Sequence, residues 1–204
     1  VIQGPWLMQE MQAQAEHVGT RMMWDTITDV DLSGPTFVAT GDGGDTYEGD
    51  TLVICTGAQA KWLGVPGEQA LSGKGVSACA TCDGALFRNK AMAVVGGGDT
   101  AMEESIFLTR FASRIHLIHR RDAFRASKIM ADRVLANDKI EVIWNTVVED
   151  VMDVQKQAVT GLKLRNVETD EVSDLAVEGL FMAIGHKPNT DCFRGQVEMD
   201  EHGY

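Results

Sequence analysis

The chain has 204 residues, 44% hydrophobic and 24% charged, with a formal net charge of −12. That is enough apolar material for a real core, and room for one large domain or one complete domain with pieces of another. The acidic balance without a long basic run excludes a nucleic-acid partner, and no apolar run reaches the roughly 18 residues of a membrane span.

Gly4-Pro5 opens a segment in which Trp6, Leu7, Met8, Met11, Ala15 and Val18 recur near the helical period, with Gly19 placed to terminate it. Met22 to Ile27 reads as a strand. Three short runs follow, Val30-Asp31-Leu32, Thr36 to Thr40 and Thr46 to Glu48, separated by the turn signals Ser33-Gly34-Pro35 and Gly41 to Asp45. They predict a small antiparallel meander. Leu52-Val53-Ile54-Cys55 predicts an apolar strand, with Cys55 as a small core residue. It ends at Thr56-Gly57-Ala58, where the glycine either lets backbone approach a ligand or simply makes a turn. Gln59 to Gly75, with Pro66 and glycines at 64, 67 and 73, reads as a linker or crossover that begins at a domain boundary.

The second half reads as a parallel-sheet unit. Met92 to Val95 is a short apolar strand, Asp99 to Phe111 a helix, and Ile115 to Ile118 the next strand. Strand, glycine turn, helix and strand make the front half of a dinucleotide-binding unit. A helix over Lys128 to Leu135, a strand over Glu141 to Trp144, a hairpin from Val147–Val154 and Val159–Val167, and a last apolar strand ending at Ile184 complete it. No repeat or low-complexity tract interrupts the chain.

Two motifs carry the chemistry. Gly96-x-Gly98-x-x-Ala101 lies between a strand and a helix, the context that the dinucleotide pattern demands. The first glycine permits the turn and the second lets backbone reach a pyrophosphate. Ala101 allows close helix–strand packing, and the helix start, with Asp99 and Thr100, supplies amides and a positive dipole end. At the tip of the next strand stand His119, Arg120 and Arg121, with Arg125 just beyond; Arg120 lies 22 positions after Gly98 (120 − 98), near the expected offset of about 20. Three arginines and no acid at that tip suit a ribose 2′-phosphate, which points to NADPH over NADH.

The other motif is Cys79-Ala80-Thr81-Cys82-Asp83-Gly84. A zinc site would need a second close ligand pair, and Cys55 and Cys192 are single and distant. Two structural thiols are the other bland alternative. A carboxylic acid beside a dithiol strengthens a redox reading, because Asp83 can protonate the thiolate that leaves during exchange. One Cys-x-x-Cys in an ordinary α/β sequence predicts a reducing, cytoplasmic setting and no metal. Cys192 has no assignable role.

Together, Cys-Ala-Thr-Cys-Asp-Gly at 79–84, Gly-Gly-Gly-Asp-Thr-Ala at 96–101, His-Arg-Arg at 119–121 with Arg125, and Ala-Ile-Gly-His-Lys-Pro-Asn at 183–189 resemble the low-molecular-weight bacterial thioredoxin reductases, over essentially the whole chain. The resemblance implies an α/β, Rossmann-like three-layer domain with a parallel sheet and antiparallel meander, plus an incomplete second domain of the same type. Residues 1–60 would be the middle of an FAD domain, 61–185 the NADPH domain with the redox pair, and 186–204 the start of the return to the FAD domain. Thr56, Gly57 and Ala58 would sit beside FAD. Electrons would pass from NADPH through FAD to the Cys79–Cys82 disulfide and on to thioredoxin, within a homodimer. Cys82 would face the flavin, Cys79 would attack the substrate disulfide, and Asp83 would be the acid–base group. The alternatives are the flavoprotein reductase of an alkyl hydroperoxide peroxidase system, which usually carries another residue pair between its cysteines, and an NADPH-binding fragment without activity. The family's two flavin fingerprints fall before Val1 and after Tyr204. These 204 residues are therefore expected to be truncated at both ends, to bind NADPH but not hold FAD tightly, and to expose apolar faces of the first helix and of Leu52–Ile54. Asp99 stands where many members have Asn.

Overall fold

The computed structural model describes residues 2–204. The chain divides into two compact units, one running to Gly57 and resuming at Pro188–Tyr204, the other Ala58–Lys187.

In the first unit, helix α1 spans Gly4–His17 with Pro5 in its first turn. Its end is a Schellman motif: Gly19 N–H donates to the Glu16 carbonyl and Thr20 N–H to the Ala15 carbonyl, with Gly19 at φ +90°. No residue of α1 is buried, so the helix rests on its C-terminal cap and on pairs one turn apart, such as Trp6 Nε1 to Glu10. Strands β1 (Ile27–Asp31), β2 (Phe37–Gly41) and β3 (Thr46–Gly49) form the expected antiparallel meander. Gln196 fastens it to the C-terminal segment, donating to the Val30 carbonyl and accepting the Leu32 amide.

Two expected strands are absent. Met22–Thr26 has no strand pairing, and strand structure begins only at Ile27; Leu52–Cys55 is likewise unpaired. Val53 is 82% exposed and Cys55 is a free, exposed thiol rather than a core residue. Apolar, β-branched composition makes a strand only where a neighbour completes its backbone hydrogen bonds, and among the described residues no strand pairs with either segment, the Thr26 carbonyl alone accepting the Asp42 amide.

The second unit is a three-layer sandwich. Strands β4 (Ala58–Ala60) and β13 (His186–Pro188) pair with each other. A five-stranded parallel sheet forms the middle layer in the order β5-β12-β6-β7-β8. These strands are Val76–Ser77, Gly179–Met182, Ala91–Val95, Arg114–Ile118 and Ile140–Ile143. Helices α3 (Asp99–Leu108) and α4 (Lys128–Leu135) cover one face, and the antiparallel sheet β9 (Thr146–Val151), β10 (Leu162–Asn166) and β11 (Val172–Leu175) covers the other. Side chains alternate along each middle strand. Met92, Val94 and Phe181 pack with Met102, Leu108 and Val134 on the helical side. Ala93, Val95, Leu180 and Met182 pack with Val148, Leu162 and Leu164 on the other. Burial on both faces is why β6 and β12 read as unbroken apolar runs.

Details differ from expectation. Helix α3 ends at Leu108, before Phe111, where the Thr109 hydroxyl takes the Ile106 carbonyl. The expected hairpin over 147–167 gains a third strand, β11, whose polar sequence hides it because only one of its four residues is even half-buried. A short helix, α2 (Ala80–Asp83), follows β5 and carries the cysteine pair.

Candidate active site

The parallel strands all point the same way, so the segments that follow them converge beyond one edge of the sheet, where ligands bind in open α/β sheets. Cys79 comes two residues after β5, the glycine turn follows β6, His119 follows β7 and Ala183 follows β12. The last three enclose a cleft of about 640 Å³ lined by Gly96, Gly97, Gly98, Thr100, His119, Arg120, Arg125, Ala183 and neighbours, which the cysteine turn does not line.

The three glycines do three different things. A Cβ on Gly96 would lie 2.3 Å from the Ala183 carbonyl oxygen and 2.8 Å from the Ala101 Cβ. Gly96 therefore lets the turn pass between the neighbouring strand and the helix, and the fully buried Ala101 is small for the same reason. A Cβ on Gly97 would fall 2.1 Å from Cε1 of His119, so this glycine makes room for an imidazole. A Cβ on Gly98 would meet nothing within 4 Å. Gly98 is the extended N-cap of α3 with no side-chain cap, and the helix's own bonds begin with the amides of Ala101 and Met102. The first helical amides are thus left to a ligand. This cradle suits the diphosphate of a dinucleotide.

The loop after β7 is fastened to this turn. Arg125 N–H donates to the Gly97 carbonyl at 2.8 Å, and Asp99 Oδ1 accepts both the amide and the hydroxyl of Ser127 at 2.9 Å each. His119 is only 6% exposed. Its Nε2 is 3.0 Å from the Ala123 carbonyl, and its ring packs beside Phe124 and Trp144, with centroids 5.6 and 6.0 Å away. Burial pushes the imidazole below its ordinary value; hydrogen bonds to the backbone of Ala123 and Gly96 oppose this, and Arg121 and Arg125 add to it. The ring is neutral at pH 7. Arg120 and Arg125 line the cleft; Arg121 does not.

Cys79 and Cys82 form a disulfide with their Cα atoms 5.3 Å apart. Cys79 is the N-cap of α2, its sulfur accepting the Cys82 amide at 3.2 Å. Cys79 is half-buried and Cys82 exposed. The buried Ser77, at the end of β5, links the pair to the acid: its Oγ lies 3.0 Å from the Cys79 amide and 2.7 Å from Asp83 Oδ2. On α3, Glu104 faces the Ala80 amide of the same turn. Burial raises its carboxyl from 4.5 to about 6, against the lowering effect of that amide, and its Oε2 is buried without a partner.

Thr56 and Gly57 lie in the other unit and Ala58 opens this one. All three are exposed. Asn189 holds the corner, its amide nitrogens donating to the Thr56 and Gly57 carbonyls. These residues do not form a diphosphate cradle, and among the described residues the only glycine turn between a parallel strand and a helix is that at Gly96–Gly98. No helix among the described residues is long and apolar enough to cross a membrane.

The sequence reading did not single out Ser77 or Glu104, and it quoted Gly97 and Ala183 only within longer motifs, with no role of their own. The middle glycine could have been noticed as a third glycine in a pattern that asks for two. Ser77, six residues before Asp83, belongs to no pattern.

An α/β dinucleotide cradle that carries its own disulfide defines a class, the nucleotide-linked disulfide oxidoreductases. Residues 7–204 match the pyridine nucleotide-disulphide oxidoreductase family, and the chain belongs to it. A thioredoxin reductase of Rickettsia conorii is 50% identical over 204 residues, 100% of this chain and 66% of the relative. One of Streptomyces coelicolor is 51% identical over 203 residues, 100% of this chain and 62% of the relative. The thioredoxin reductase structures from Streptococcus pyogenes and Giardia duodenalis superpose with TM-scores of 0.81 and 0.83, each at 38% identity, covering 100% of this chain and 66% of theirs. The chain thus spans 62–66% of the length of these relatives.

Proposed function

We propose that the chain is the NADPH-binding and disulfide-bearing part of a thioredoxin-disulfide reductase. One observation carries this reading: the formed Cys79–Cys82 disulfide, with Asp83 held at its turn, shares a sheet edge and a compact unit with a glycine cradle flanked by Arg120 and Arg125. The names of the relatives agree with it.

The cleft residues would bind NADPH. Backbone amides at the start of α3 hold the diphosphate, and Arg120 and Arg125 grip the 2′-phosphate with charge-assisted bonds. His119, neutral and wedged under the turn, contributes shape rather than charge. Bound FAD would supply the two-electron relay between nicotinamide and disulfide, with Thr56–Ala58 along one side of it. The chain's own residues then carry out dithiol–disulfide exchange. By the family resemblance the Cys79 thiolate attacks the disulfide of thioredoxin, and one sulfur of that disulfide leaves with the electron pair. Asp83 protonates the leaving thiolate. The Cys82 thiolate then attacks Cys79, which releases dithiol thioredoxin and restores the Cys79–Cys82 disulfide. The same resemblance assigns a homodimer, and the single Cys-x-x-Cys in an α/β sequence a cytoplasmic setting.

The test uses the full-length protein supplied with FAD. Cys79→Ser and Cys82→Ser should each abolish NADPH-dependent reduction of a thioredoxin disulfide while NADPH binding stays unchanged by calorimetry. Disulfide turnover retained in either variant overturns the reading.

A further inference from the structure

We propose that Ser77 is the positioning residue for Asp83, holding the acid and the Cys79 backbone as one unit during disulfide exchange. The inference rests on the acid–base role given to Asp83 above and adds a residue to it.

A serine hydroxyl has one hydrogen to donate and two lone pairs to accept with. At Ser77 Oγ, one lone pair receives the Cys79 amide at 3.0 Å. The hydrogen has two acceptors in reach, Asp83 Oδ2 at 2.7 Å and the Cys79 carbonyl at 3.4 Å. The carboxylate is closer and charged, so it takes the hydrogen. When Asp83 carries a proton, the hydroxyl can turn to the Cys79 carbonyl, and its second lone pair can accept the proton of the acid. Both states of Asp83 are therefore satisfied without moving a heavy atom. Ser77 is only 7% exposed, and β5 pairs in parallel with β12 at Ser77 itself, opposite Phe181. The hydroxyl is thus anchored to the sheet, while Asp83 sits at the end of a helix of only four residues that cannot fix its own orientation. Glu104, the ionisable group on α3 that faces this turn, is directed at the Ala80 amide and leaves Ser77 and Asp83 to each other.

The test reads a step in which a cysteine sulfur leaves. A dithiothreitol thiolate attacks one sulfur of the Cys79–Cys82 bond. That bond breaks, and the departing cysteine sulfur keeps the electron pair and takes a proton from Asp83, which is reprotonated from water. The second dithiothreitol thiol closes its ring and releases the other cysteine, so the reagent is oxidised as the protein disulfide is reduced. Samples of the purified protein are quenched with iodoacetamide, and the alkylated cysteines are counted by mass. Asp83→Asn should slow reduction by about 100-fold, the range of a positioned acid. Ser77→Ala should slow it by about 10-fold, the worth of one hydrogen bond, and Ser77→Thr, which keeps the hydroxyl, should stay within about 3-fold of the parent. In the Asp83→Asn background Ser77→Ala should add nothing further, because the two act as one unit. A Ser77→Ala rate equal to the parent's overturns the inference. So does full additivity in the double variant, which would mean that Ser77 acts only through the Cys79 backbone. If Asp83→Asn itself leaves the rate unchanged, the acid role fails first and the inference falls with it.

Discussion

Two glycines two residues apart should fail in opposite ways. At Gly96 an added Cβ would stand 2.3 Å from the Ala183 carbonyl oxygen and 2.8 Å from the Ala101 Cβ, both on or next to rigid backbone. The residue also has φ +156°, where a side chain costs roughly 1–3 kcal/mol. Overpacking a rigid site adds roughly 1–3 kcal/mol more. Gly96→Ala should therefore lose about 2–6 kcal/mol of local stability, a large share of the roughly 5–15 kcal/mol that holds a domain together. At Gly98 the backbone is extended, with φ −102° and ψ −178°, and the Cβ would point into open space. Gly98→Ala should change stability by no more than about 1 kcal/mol. It should still weaken NADPH by about 10- to 100-fold, since a methyl there displaces a charged phosphate from the amides it would reach. Because two units need not unfold together, stability should be read locally, by hydrogen exchange of the segment 91–118, and affinity by calorimetry. A Gly98→Ala protein that binds NADPH as tightly as the parent would refute the cradle. A Gly96→Ala protein with parental exchange would refute the packing argument.

Three further outcomes are expected. Arg120→Ala and Arg125→Ala should each weaken NADPH by about 10- to 100-fold and leave NADH nearly unchanged, whereas Arg121→Ala, outside the cleft lining, should do far less; equal losses for both cofactors in a Michaelis-constant comparison would sink the 2′-phosphate assignment. Asp99→Asn keeps the Oδ1 acceptor for Ser127 and removes a negative charge from the first turn of α3, so NADPH should bind about 2- to 5-fold tighter, and weaker binding by calorimetry would show that the charge is needed. Glu104, raised from 4.5 to about 6 by burial, adds stability that is complete below pH 4.5 and lost as the pH rises through about 6; Glu104→Gln should flatten this part of the urea-midpoint profile, and an unchanged slope would remove Glu104 as its source.

The elements legible in the sequence are those whose pattern is set by local chemistry. The strand, glycine turn and helix at 91–108 could be read because burial on both faces makes an apolar run and the turn needs glycine. The Gly19 cap of α1 was legible for the same kind of reason. Leu52–Cys55 misled because composition gives the capacity to pair but not the partner. The interior place of β12, between β5 and β6, is invisible in chain order. At the site, the cysteines, Asp83 and the arginines carry recognisable spacing. Ser77 carries none, because a buried hydroxyl becomes informative only once its two neighbours are located. His119 stands beside the arginines in the sequence, and its ring both lines the cleft and packs beneath Gly97 with a hydrogen bond to backbone, a double placement that no one-dimensional pattern shows.

The placement of β12 has a consequence for how the protein is made. Gly96 turns against the carbonyl of Ala183, a residue synthesised 87 positions later (183 − 96). At the usual roughly 5–20 residues per second, a ribosome needs about 4–17 s to cover that distance. During this interval β7 and then β8 become available on one side of β6, while its other edge keeps a row of unpaired backbone N–H and C=O groups. The nucleotide cradle is therefore among the last parts of its unit to close during translation, and the nascent chain must protect that edge until β12 arrives.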